Sequence, residues 1–83
     1  MNKYIKEILE EVDIWFNEGC DKSNYDSEED WYSDMEKIAN GESEYYVIEC
    51  LADIQSKFMN LYIGNYTGEI KNHLKKLAKQ SLK

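Results

Sequence analysis

The chain has 83 residues, a third of them charged, with 17 acids against 10 lysines, no arginine and a net charge of −7. That size suits one domain with a single small core and leaves little room for a deep catalytic cleft. The charge disfavours direct binding of nucleic-acid phosphates, which needs clustered Lys and Arg, and no apolar run approaches the roughly 18 residues that span a bilayer.

Residues 3–18 read as a helix. Ile5, Ile8, Leu9, Val12 and Phe16 recur at three- and four-residue steps, the spacing of one helix face. Gly19 is the expected left-handed stop. Residues 19–26 form a polar loop.

A second helix starts at Ser27. Ser27-Glu28-Glu29-Asp30 resembles a capping box with Asp in place of Glu or Gln. Acids at this end also suit the helix dipole. Trp31, Met35 and Ile38 form the inward stripe, and Asn40-Gly41 ends the element. The next pattern is the longest: Val47, Leu51, Ile54, Phe58 and Leu61 predict one helix over 43–63. Its start, EYYVIEC, is rich in strand formers, but the helical period runs through it without a turn signal. Gly64-Asn65 ends it. A last helix, about 67–80, turns Ile70, Leu74 and Leu77 inward and its lysines outward. The expectation is an all-α fold, a small bundle of about four helices with short loops, forming one domain over 1–83.

No catalytic set is visible. His73 is the single histidine and reads as a surface or boundary residue. Cys20 and Cys50 lack companions at zinc spacing and are expected to be reduced, partly buried thiols in a cytoplasmic protein. No phosphate-binding or dinucleotide fingerprint occurs. The expectation is a protein that is not an enzyme and has no cofactor and no metal.

The charge is segregated. Residues 1–53 hold sixteen of the seventeen acids and four of the ten lysines. The densest stretch is NYDSEEDWYSDMEKIANG, residues 24–41, with Asp26, Glu28, Glu29, Asp30, Asp34 and Glu36 around Trp31 and Tyr32. On a helix Asp30 and Asp34 lie one turn, about 6 Å, apart. The outward surface becomes a ridge of carboxylates spaced much like neighbouring charges on DNA. Each carboxylate accepts bidentate arginine bonds as a phosphate does. Tyr25 and Tyr32 are placed to flank the ridge as amphipathic anchors. The plainer alternative is a capped helix with a solvated face.

The same stretch is similar to the C-terminal helical segment of a small phage-borne anti-CRISPR family of the type II-A class, which reads Y-E-D-E-E-E-F-Y-N-D-M. Tyr25, Glu28, Glu29, Tyr32, Asp34 and Met35 match by identity, and Asp26, Asp30, Trp31 and Ser33 are close replacements. The preceding EILEEVDIWFNEG, residues 7–19, looks like that family's apolar helix ending in F-x-x-G. The resemblance covers roughly residues 7–39. It implies an inhibitor of a guide-loaded CRISPR effector nuclease, whose acids meet the basic residues that read the PAM duplex. It also implies activity in the cytoplasm of a bacterial host during infection by a phage or other mobile element. The family's main contact acids fall at Ser27 and Glu28, so one of the two is not acidic here. The family also carries a three-stranded sheet before its helix pair, which this pattern lacks.

The expected partner-binding residues are therefore Asp26, Glu28, Glu29, Asp30, Asp34, Tyr25 and Tyr32. The expected partner is a basic nucleic-acid-binding enzyme, first a CRISPR effector nuclease, with no direct nucleic-acid binding and no membrane. Two alternatives stay open. One is mimicry directed at another DNA enzyme, such as a uracil-DNA glycosylase or a restriction enzyme. The other is a helical interaction module of the immunity or antitoxin kind, in which exposed tyrosines bind and the acids only solubilise.

Overall fold

A computed structural model describes residues 3–83. Among them are four α-helices and no strand: α1 (Lys3–Gly19), α2 (Glu28–Ala39), α3 (Glu44–Gln55) and α4 (Thr67–Ser81). Short 3-10 turns at Lys22–Asn24 and Ile63–Tyr66 join α1 to α2 and lead into α4. The EYYVIEC segment is helical, as its period requires. The last helix is the hub, packing against each of the other three.

One core joins all four helices. Ile8, Val12 and Phe16 enter it from α1, Trp31, Met35, Ile38 and Ala39 from α2, Cys50 and Ile54 from α3, and Ile70, Leu74 and Ala78 from α4. Ile5 and Leu9 are only half-buried. On α4 the third fully inward residue is Ala78, while Leu77 is half-buried. A small residue there lets α4 approach its neighbours closely. Both cysteines are free and fully in the core rather than partly buried.

Helix ends show where local sequence decides and where it does not. Asn40-Gly41 ends α2 as expected. Gly41 has φ +73°, its N–H bonds Ile38 O at 3.0 Å and the Glu42 N–H bonds Lys37 O at 2.9 Å. That pair of bonds is the Schellman arrangement, which places glycine at the left-handed position. Gly19 does not play this part: Gly41 is the one positive-φ residue among those described. The C-terminal carbonyls of α1 are met by side chains instead. The Asn24 amide donates to Glu18 O at 2.8 Å and Gly19 O at 3.2 Å, and the Trp31 indole N–H donates to Cys20 O at 2.7 Å. Two of the orphan carbonyls of α1 are satisfied this way without a left-handed cap.

The helix expected over 43–63 stops at Gln55. The Gln55 side chain organises the loop beyond it: its amide N–H groups donate to Phe58 O at 2.9 Å and Leu61 O at 2.7 Å, and its carbonyl accepts from the Ile63 N–H at 2.8 Å. One side chain thus satisfies three backbone groups that a continued helix would have paired internally. Phe58 and Leu61 still pack against the core, but from an irregular loop. That loop brings Ile63, absent from the expected stripe, to full burial.

Candidate partner-binding ridge

The α1–α2 loop aims the acidic segment outward. Ser27 caps α2, its hydroxyl oxygen accepting the Asp30 N–H at 3.2 Å. Among the described residues the return bond of a full capping box is not formed. Asp30 is one methylene shorter than the usual Glu, so its carboxylate stays free. Burial of Trp31, Met35, Ile38 and Ala39 on α2 then turns Glu29, Asp30, Ser33 and Glu36 to solvent, since these lie round the other side of a 3.6-residue helix.

Asp26, Glu28, Glu29 and Asp30 are all exposed. The ammonium of Lys22 sits 3.9 Å from the Glu28 carboxylate. It also lies 4.7 Å from the Trp31 ring centroid and 5.5 Å from that of Tyr32. Trp31 and Tyr32 meet edge to face with centroids 4.9 Å apart. Tyr32 remains 42% exposed and stands beside the acids as expected. Glu36 extends the ridge, while exposed Lys37 on the last turn of α2 interrupts its charge.

Asp34 and Tyr25 are placed otherwise, and the expectation that they stand free on the surface is corrected. Asp34 is half-buried on the α3 side of α2, where it accepts the Tyr46 hydroxyl at 2.5 Å. The Tyr46 oxygen lies 3.1 Å from the Tyr25 hydroxyl. Tyr46 has one proton and gives it to Asp34, so Tyr25 donates to Tyr46. The result is a chain from the α1–α2 loop through α3 to α2. Burial, then the bond to Asp34, pushes the Tyr46 phenol well above the ordinary tyrosine range. Burial raises Tyr25 to about 12. Both phenols stay neutral at physiological pH, and Asp34 links α2 to α3 through Tyr46. The sequence held no local sign of this: Tyr46 is one of two adjacent tyrosines, and only the helix crossing chooses it over Tyr45.

Two further cross-helix bonds have the same character. Asp13 on α1 pairs with His73 on α4 at 2.6 Å, so the histidine is a half-buried boundary residue with a partner. The Trp15 indole donates to Asp53 at 2.6 Å, joining α1 to α3. Burial raises the Cys20 thiol to about 11, with Asp34 adding to it, and the Cys50 thiol to about 12, with Asp53 adding to it. Neither is poised as a nucleophile, which needs a lowered value. Among the described residues no group of three or more His, Cys, Asp or Glu is placed to hold a metal, and no helix is long and apolar enough to cross a membrane.

Neither a protein-family model, nor a curated protein, nor a solved structure matches the chain. The functional reading therefore rests on the residues themselves. What they form is an exposed patch of four carboxylates at a helix start, flanked by one exposed tyrosine and countered by a single nearby lysine.

Proposed function

We propose that the protein is a non-catalytic inhibitor that mimics DNA. Its α2 ridge occupies the PAM-reading groove of a CRISPR effector nuclease in the bacterial cytoplasm during infection. The observation that carries this reading is the exposure of Asp26, Glu28, Glu29 and Asp30 together, more charge than capping one helix requires. With Tyr25 and Asp34 tied into the fold, the binding set becomes those four acids with Tyr32, extended by Glu36. Ser27, at a family contact position, is engaged as a cap, so Asp26 takes over its charge. The resemblance over residues 7–39 chooses the target. A uracil-DNA glycosylase or a restriction enzyme is the substitute, because the same electrostatics suit any basic DNA groove.

The test reverses Glu28, Glu29 and Asp30 to lysine together. All three are exposed, so the fold loses only dipole and cap terms, about 0.3–1 kcal/mol per charge. Binding loses far more, since removing one partner of a buried charge pair costs about 2–5 kcal/mol. DNA cleavage by the guide-loaded nuclease is measured with stoichiometric wild type, the triple variant, and a Glu7→Lys/Glu10→Lys control. Wild type and control should inhibit and the triple variant should not. Association of the wild type should also slow steeply with added salt. Equal inhibition by the triple variant and the wild type would remove the ridge from the mechanism. A wild type that leaves this nuclease untouched moves the assay to the substitute enzymes.

A further inference from the structure

Helix α3 is the most apolar of the four and the least amphipathic. A helix apolar on all sides belongs in an interior, yet only Cys50 and Ile54 of α3 are buried. Tyr45 and Ile48 are 66% and 62% exposed, and Ala52 is exposed with them. Steps of three and four make these one stripe, with exposed Glu49 along its edge. The stripe borders a groove of about 220 Å³ between α3 and α4, walled by Val47, Ile48, Leu51 and Thr67 and rimmed by Glu44 and Lys71.

We infer that this face pairs with a second copy of the chain about a two-fold axis. Such an interface must be self-complementary, because the same patch serves both sides. The α3–α4 face has that property in shape and in charge. Ile48 is 62% exposed on the wall of the groove, so an apolar projection and an apolar depression lie on one surface. Glu44 and Lys71 carry opposite charges at the rim, and neither takes part in the three ion pairs formed among the described residues. A two-fold rotation sets Glu44 of each copy against Lys71 of the other. About a two-fold axis through the α2 ridge, acids would face the same acids of the second copy. The α3–α4 rim presents both signs. It also lies on the opposite side of α3 from Tyr46, the residue that reaches α2, so pairing leaves both ridges open.

The area sets the strength. Helices of 12 and 15 residues are about 18 and 22 Å long, and side by side they offer a face smaller than the roughly 800 Å² per partner of a standard stable complex. The dimer is therefore expected at the weak, reversible end of such complexes.

Sedimentation velocity from about 5 µM to about 1 mM, a span chosen to reach weak association, tests the pairing. The mass should rise from 9.9 kDa toward twice that value. Ile48→Lys should weaken the dimer by about tenfold or more, as should Glu44→Lys, which sets like charges against each other. The double swap Glu44→Lys/Lys71→Glu should restore it to near the wild-type constant. Both side chains are exposed or half-exposed, and circular dichroism confirms that each variant is folded. A wild type that stays monomeric throughout overturns the inference. So does a dimer indifferent to Ile48→Lys, or a double swap no better than Glu44→Lys alone.

Discussion

Replacing Asp34 by alanine removes the acceptor that ties α3 to α2. Tyr46 loses its bond to the carboxylate, and Tyr25 loses the ordered partner behind it. A hydrogen bond to a charged group contributes about 1.5–3 kcal/mol. The site is half-buried, so the lower half of that range, about 1.5–2 kcal/mol, applies. Alanine returns about 0.5 kcal/mol through its better helix propensity. The net loss is about 1–1.5 kcal/mol, out of a total of roughly 4–12 kcal/mol for a domain of this size, and the melting temperature should fall by about 4–12 °C. The measurement is urea unfolding followed by circular dichroism, with Glu29→Ala as the exposed control. Tyr46→Phe should cost a similar amount, and the double variant should cost less than the sum, because the two changes remove one bond. If Asp34→Ala and Glu29→Ala agree within about 0.5 kcal/mol, Asp34 belongs with the ridge and not with the fold.

The raised thiols make two outcomes. In the folded protein at pH 8 neither Cys20 nor Cys50 should react with a disulfide reagent, and both should react once guanidinium exposes them. Their folded values of about 11 and 12 lie above the ordinary 9.0, so the unfolded chain releases protons first. This contribution to stability is whole below pH 9 and is lost as pH climbs from 9 through 11 and 12. Urea unfolding repeated at a series of pH values should show the midpoint falling across that window, and a flat midpoint from pH 9 to 12 would contradict it. Leu74→Ala, at a 1% exposed position of the central helix, should cost about 2–5 kcal/mol, and a loss under about 1 kcal/mol would mean that α4 is not the hub.

The helices were legible because each is written locally. Apolar residues at three- and four-residue steps name the inner faces of α1, α2 and α4. Ser27 names a start, and Asn40-Gly41 names a stop, since a left-handed residue costs least as glycine. The resemblance and the acid count marked the same segment as the candidate site, of which Asp26, Glu28, Glu29, Asp30 and Tyr32 are exposed. Tertiary structure decided what depends on residues distant in the chain. It decided that α3 ends at Gln55, because one side-chain amide found three backbone partners across the loop beyond it. It decided that Gly19 keeps an ordinary conformation, because Asn24 folds back onto the last carbonyls of α1 and Trp31 onto that of Cys20 just beyond. Above all it divided the acids. Glu28, Glu29 and Asp30 sit exposed on the solvent side of α2. Asp34, on the same helix, meets Tyr46, twelve residues on. Periodicity assigns a residue to a face. Which neighbour waits on that face is set by how the helices cross, and that crossing is fixed by the whole core at once.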